Sequence, residues 1–474
     1  MPRYIDRLIL FEALRNDEVA IKIAGLITSG PEFCEANPGS CRSGAVKPHK
    51  AIDDEIAQSE TGRHEAYYAI GRALLKEIGY GGISGNCLQG HLCRILACED
   101  NIFARLSENG VFSGLSTDSQ KAARKSPQLS SLSPANQAIL KLAASEIKHI
   151  SPIYQFAFTG AANTADGAGC YDLAGLPASE TEQRSGLELI HQAMTQHESE
   201  DAAIMLAEYY HSYGSGIFGA SSAFSAEEGG MKGCVLVPAR FIDPVTLDDI
   251  IGAERQKKLL AGNMEILLSG LRANNTLLYG DSGTGKSSTV KALLNHYSSK
   301  GLKLISVSKE NLSLLPRVIE QIADRGLKFI IFIDDLSFDE NENEYKAFKS
   351  IVEGRVAPRP QNTVFVVTTN RKNIVKDLWG DRDGDDVRRR DNMEEKRSLA
   401  DRFGLTLTYS APTKQEYLAI VRGVAGQAGL SIPDDELAGE ALKWELRHGG
   451  RSGRTARQFV DYMVGMKAID LEDI

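Results

Sequence analysis

The chain has 474 residues, of which 42% are hydrophobic, 25% charged and 7% aromatic; these are ordinary globular proportions, and the length suits two to four domains of roughly 100–200 residues. Its formal net charge of −9, from 54 Lys and Arg against 63 Asp and Glu, argues against a whole-chain nucleic-acid coat or a basic membrane binder. Seven cysteines with no C-x-x-C pair exclude a disulfide framework, the charged N-terminus lacks a signal peptide's apolar core, and no run approaches the ~18 apolar residues of a spanning helix, so a cytoplasmic chain with reduced thiols and no membrane partner is expected.

The charge is uneven. Residues 1–240 hold 20 basic and 28 acidic residues, whereas residues 241–474 hold 34 and 35. In chain order, residues 1–213 read as a mainly helical region. Apolar residues recur at three and four in Ala66–Tyr80 and Leu88–Leu106, and more weakly in Ala135–Ile150 and Gly186–Tyr213. Cys87, His91, Cys93 and Cys98 could be read as a metal site, but no tight ligand pair repeats elsewhere, and buried helix residues are the preferred reading. Breaker-rich stretches lie at Thr159–Pro177 and Gly214–Pro238, the second with six glycines. Residues 214–238 are therefore expected to be a Gly/Ser-rich linker.

Beyond it the pattern changes. Strand-like runs at Asn275–Gly280, Leu302–Val307, Phe329–Ile333, Val364–Thr368 and Leu405–Tyr409 alternate with helical stretches at Gly285–Tyr297, about Leu312–Ala323 and about Glu344–Glu353. Such alternation predicts βαβ units and a mostly parallel sheet over residues 239–411. Residues 412–474 give three helical stretches and no strand. The charged run Trp379–Arg397 reads as a solvated loop.

Gly280-Asp281-Ser282-Gly283-Thr284-Gly285-Lys286-Ser287 satisfies G-x-x-x-x-G-K-[ST] at every fixed position. It stands where that pattern carries meaning, after a strand and opening a helix. Glycines let the backbone turn tightly enough for its N–H groups to surround phosphate oxygens. The helix that begins at Lys286, Ser287 and Ser288 adds its positive N-terminal end. Lys286 can reach the β- and γ-phosphates, and the Ser287 hydroxyl can bind Mg²⁺. The apolar run Phe329–Ile333 ends in Asp334 and Asp335, which a central parallel strand would bring beside that loop. Asp334 is expected to hold Mg²⁺, and Asp335 to polarise an attacking water.

With these elements the chain resembles the AAA+ ATPases over about Phe241–Lys467. The implied fold class is α/β: an AAA+ P-loop parallel sheet with a C-terminal helical lid, preceded by a mainly α N-terminal region. Asp248-Asp249-Ile250-Ile251-Gly252 looks like that family's adenine-contacting segment, which implies Ile251 and Gly252 as base contacts. Thr368-Thr369-Asn370 resembles the end of the family's fourth strand, making Asn370 the residue that orients the lytic water. Ser398–Leu405 is similar to the arginine-finger segment of the bacterial replication initiator, which implies that Arg402 reaches a neighbouring subunit's γ-phosphate; Arg397 is its competitor. Gly453-Arg454-Thr455-Ala456-Arg457 resembles the lid's nucleotide sensor, with Arg454 ahead of Arg457 and Arg451. The whole stretch resembles still more closely a bacterial AAA+ family catalogued as a domain of unknown function.

The resemblance implies ATP and Mg²⁺ as ligands, a homo-oligomer, and an ATPase that remodels or loads an unidentified protein client held by the N-terminal region. A nucleotide-dependent switch with slow turnover and a DNA-processing factor are the alternatives. The acidic N-terminal half and the end of the chain directly after the lid disfavour nucleic acid. Val307–Pro316 holds no aromatic residue of the kind threading unfoldases carry there. One departure stands out: the AAA+ family's usual catalytic acid is Glu, and here Asp335 takes its place. Aspartate is one methylene shorter, setting the carboxylate about 1–1.5 Å back, and misplacement on that scale can cost about a hundredfold in rate.

Overall fold

The computed structural model describes residues 4–28, 69–70, 73–74, 87–115, 131–155, 185–196, 199–229, 234–239, 241–337, 348, 351–352, 359–370 and 402–468. Cys34, Cys41, Cys170, the Thr159–Pro177 stretch, the Trp379–Arg397 run with Arg397, and most of the helix expected at Glu344–Glu353 lie outside them. The chain divides into two compact units, Met1–Ala220 and Ser221–Ile474.

The first unit is helical. Among the described residues its helices are α1 (Glu12–Asn16), α2 (Glu18–Thr28), α3 (Cys87–Ala97), α4 (Ile102–Glu108), α5 (Pro134–Tyr154), α6 (Ser185–Gln196), α7 (Ser199–Tyr213) and α8 (Ile217–Ala220). Local signals set several boundaries. Asn101 caps α4 by accepting the Ala104 N–H, and Ser133 caps α5 from Asn136 with Pro134 at its first position. On α3, Leu88, Leu92 and Leu96 recur every fourth residue and are fully buried. They share one core with Phe11, Phe103, Ile147 and Tyr210. Buried carboxylates tie the chain's start to that core. Glu146 accepts N–H bonds from Ile9, Leu10 and Phe11 at 2.9–3.2 Å, and Glu99 accepts from Ala13 at 2.9 Å. Burial pushes the Glu99 carboxyl up to about 7.

The cysteine cluster is structural where it is buried. The Cys93 thiol lies 3.2 Å from the Tyr154 hydroxyl, and burial pushes it up to about 12. His91 bonds Asp17 at 3.1 Å, Cys87 is half-buried, and Cys98 is exposed just after α3. Among the described residues no group of three His, Cys, Asp or Glu side chains could hold a metal ion. No helix of the described residues is long and apolar enough to cross a membrane.

The second unit is built on a seven-stranded sheet. The strands are β1 (Ala223–Glu228), β2 (Cys234–Pro238), β3 (Thr276–Gly280), β4 (Leu302–Ser306), β5 (Lys328–Ile333), β6 (Thr363–Thr369) and β7 (Leu405–Tyr409), in the order β2-β1-β4-β5-β6-β3-β7. The five strands from β3 to β7 are mutually parallel. β5 and β6 are buried on both faces, as their unbroken apolar runs Phe329–Ile333 and Val364–Val367 require. The helices here are α9 (Glu254–Leu268), α10 (Lys286–Tyr297) and α11 (Leu315–Ile322). The helix expected over Leu312–Ala323 is in fact a 3₁₀ segment, Lys309–Leu314, followed by α11, which begins beside Pro316. Proline fixes the helical φ and lacks the N–H that would extend a helix backwards.

Residues 214–238 require a correction. They are not a linker. Ile217–Ala220 form α8 of the first unit, and Ala223–Glu228 and Cys234–Pro238 form β1 and β2, an antiparallel pair whose first strand runs parallel to β4. Phe224, Ala226, Cys234 and Leu236 alternate into the interior, and the Asn311 side chain donates to the Ala226 carbonyl at 3.0 Å.

A lid of three helices follows β7: α12 (Lys414–Gln427), α13 (Asp434–Arg447) and α14 (Gly453–Ala468). A capping box of Thr413 and Glu416 starts α12. Tyr417, Val421, Ala441, Ala456, Phe459 and Val460 form the lid's own core.

Candidate functional site

In a parallel sheet the C-terminal strand ends form a natural crevice for ligands. Here those ends carry Gly280 on β3, Asp334 and Asp335 just past β5, and Asn370 just past β6. They open on a cleft of about 1010 Å³, also lined by Ile250, Ile251, Gly252, the loop 282–288, Arg454 and Arg457.

The loop's shape is fixed by its glycines. Gly280 has φ +142°, and a Cβ there would lie 1.8 Å from the Tyr409 carbonyl oxygen on β7. Gly285, at φ +92°, is the left-handed residue from which α10 starts. Asp281 ties the loop to the lid's beginning, since its side chain accepts the Ala411 N–H at 2.9 Å. On the lid's far side the Arg454 N–H reaches the Gly283 carbonyl at 3.4 Å.

Lys286 is only 6% exposed. Its Nζ donates to the carbonyls of Gly280 at 2.8 Å and Asp281 at 2.7 Å, and to Asn370 Oδ1 at 3.0 Å. Burial pulls its pKa down, and the nearby carboxylates of Asp335, Asp281 and Asp334 oppose that shift. Asn370 turns its other end to Asp335, donating from Nδ2 to Oδ1 at 2.7 Å. Ser287 Oγ donates to Asp334 Oδ1 at 2.6 Å. Of the residues expected from sequence, Lys286, Asn370 and Asp335 are therefore one hydrogen-bonded group and Ser287 with Asp334 a second beside it.

The remaining expected residues divide. Ile251 and Gly252 line the cleft, as do Ser282, Gly283, Thr284 and Ser288, while Gly280 and Asp281 contribute through their carbonyls beneath Lys286. Of the three candidate sensor arginines, Arg451 is paired with Glu445 at 2.9 Å, while Arg454 and Arg457 lie on the cleft wall. Arg402 is exposed just before β7. It lies at the opposite end of that strand from Tyr409 and is not among the residues lining its own cleft.

Three contributors escape a reading of motifs. Thr368 donates to Asp334 Oδ1 at 2.5 Å and accepts the Asp335 N–H at 2.8 Å. Gln427 on α12 reaches Asp249 at 3.0 Å. Gly423 packs so closely on Ile251 that a Cβ would lie 1.8 Å from Ile251 Cδ1. Thr368 was within reach of sequence reasoning, because the strand period of two puts it on the same face as Asn370.

A parallel sheet with a glycine-rich loop on β3, an acidic pair after β5 and a three-helix lid after β7 is the arrangement expected of an AAA+ P-loop fold. The chain belongs to the family described as protein of unknown function (DUF815), whose profile matches residues 219–467 and so includes the β1–β2 pair. No curated protein matches the sequence. Among solved structures, the RuvB Holliday junction branch migration motor of Thermotoga maritima is similar at 20% identity, over 49% of this chain and 69% of that one, with a TM-score of 0.36. A point variant of the same motor is similar at 20% identity over 48% and 68%, again at 0.36.

Proposed function

We propose that the second unit binds Mg-ATP in this cleft and hydrolyses it. The observation that carries the reading is the convergence of Lys286, Ser287, Asp334, Asp335 and Asn370 within hydrogen-bonding distance at the mouth of the phosphate loop. The residues fit the nucleotide. The loop glycines leave backbone room for phosphates, Lys286 supplies a buried cation, and Ser287 and Asp334 together offer a hydroxyl and a carboxylate of the kind Mg²⁺ accepts. Bound Mg²⁺ supplies charge compensation beside the β- and γ-phosphates.

Lys286 and the loop N–H groups stabilise charge on the phosphate oxygens. Asn370 and Asp335 position the attacking water. Asp335 takes its proton as the water oxygen bonds to the γ-phosphorus and the bond to the β-phosphate breaks, leaving ADP and phosphate. Arg402, remote from its own cleft, acts on the nucleotide of an adjacent protomer in a homo-oligomer. Arg454 links nucleotide state to lid position through α14. The N-terminal unit, in the acidic half of a cytoplasmic protein, holds the protein client.

Titration with a fluorescent ATP analogue tests the foundation of this reading. The parent chain binds in the presence of Mg²⁺, and Lys286→Ala weakens binding by at least about tenfold, as loss of a charge-assisted phosphate contact requires. Equal affinity in the two proteins would remove the phosphate loop from the account.

A further inference from the structure

The acidic pair after β5 is held by one side chain from the neighbouring strand. Thr368, 1% exposed, carries a hydroxyl with one proton and two acceptor lone pairs. Its Oγ1 donates to Asp334 Oδ1 at 2.5 Å and accepts the Asp335 N–H at 2.8 Å. Its carbonyl accepts the Leu336 N–H at 2.8 Å. A single residue thus grips three successive positions. Between those grips Asp335 adopts φ +50°, a left-handed conformation uncommon for residues with a Cβ, though aspartate adopts it more readily than most, and here bonds on either side of it hold it there. The turn aims the carboxylate, whose Oδ1 meets Asn370 Nδ2 at 2.7 Å. Thr368 and Asn370 share a face of the β6 segment, so the amide and the carboxylate of Asp335 are both fixed from that face.

We infer that Thr368 is a positioning residue for hydrolysis. Its hydroxyl holds Asp335 in the left-handed turn that lets a short aspartate stand where a longer glutamate would otherwise be needed. The inference rests on the hydrolytic reading above and names a residue that the phosphate-loop pattern does not contain. Thr368 acts through Asp335 and Asp334 rather than on substrate.

The test is steady-state phosphate release by the full chain at saturating Mg-ATP, with the Kd of a non-hydrolysable ATP analogue measured in parallel. Thr368→Val keeps the side-chain shape and removes both hydroxyl bonds. Its kcat is expected to fall about a hundredfold with analogue Kd essentially unchanged, whereas Thr368→Ser retains most of the rate. If the valine variant does not fold, Thr368→Ser against Thr368→Ala makes the same comparison, since the two differ only in the hydroxyl oxygen. A valine or alanine variant with parental kcat overturns the inference. So does a loss of rate matched by an equal loss of analogue binding, which a purely structural residue would produce. A parental chain that binds nucleotide and releases no phosphate overturns the hydrolytic reading instead, so the two failures are distinguishable.

Discussion

At the scale of single residues, burial decides which ionisable groups do chemistry and which only hold the fold. Lys286 is buried, yet three carboxylates surround it and its bonds are to carbonyls and an amide, so an incoming anion can replace them. Glu99 is buried in the first unit, where its carboxylate accepts the Ala13 and Leu14 backbone N–H groups. Its carboxyl is pushed up from 4.5 to about 7. The folded chain therefore binds more protons than the unfolded chain between those values, and stability falls as pH rises through that window. Above pH 7 the ionised carboxylate exerts its full cost. Glu99→Gln keeps an acceptor for the Ala13 and Leu14 N–H groups and removes the charge. It is expected to stabilise the protein by about 1–2 kcal/mol at pH 8 and to flatten the fall in thermal stability between pH 4.5 and 7. An unchanged pH dependence of unfolding would show that Glu99 does not titrate in this range.

At the scale of elements, the lid meets the sheet-bearing core through close approaches. Gly423 on α12 is one, since a Cβ there would lie 1.8 Å from Ile251 Cδ1 and force the tip of that side chain to move. Gly423→Val should displace Ile251, the proposed base contact, and weaken ATP-analogue binding about tenfold, the order expected from ~1–3 kcal/mol of overpacking. Helical content, read by circular dichroism, should stay as in the parent, and unaltered affinity would detach Ile251 from the binding site. The same scale shows what was legible in the sequence. The strands β3 to β7 and the lid helices announce themselves through unbroken apolar runs, a phosphate-loop pattern and helical periodicity, all of which are local. The β1–β2 pair does not, because its strands sit among the six glycines of residues 214–238. The pairing of β1 with β4, some 80 residues onward, is a non-local contact that strand propensity alone does not specify. At the site, residues with charge or a motif position were readable. Thr368 and Gly423 were not singled out, since their roles come from a hydrogen bond to a backbone amide and from the space a missing side chain leaves.

At the scale of the whole molecule, two units of similar length carry different chemistry. The first is helical and holds its own N-terminal segment by buried carboxylates. The second carries the cleft, the lid and an exposed Arg402 away from its own cleft. If Arg402 serves a neighbour, specific ATPase activity should fall on dilution. Arg402→Ala should then lower turnover about 10³-fold, the low end of arginine-finger effects, while leaving nucleotide binding intact. A variant with parental turnover at every protein concentration would place hydrolysis within single chains. The central claim is narrower, that Asp335 takes part in cleaving ATP in this cleft. Single-turnover phosphate release from Mg-ATP, comparing the parent with Asp335→Asn at matched nucleotide occupancy, tests it most directly. The account predicts that the parent releases phosphate and that Asp335→Asn is slower by about 10²-fold or more, as removal of a general base entails. An Asp335→Asn chain as fast as the parent would contradict it.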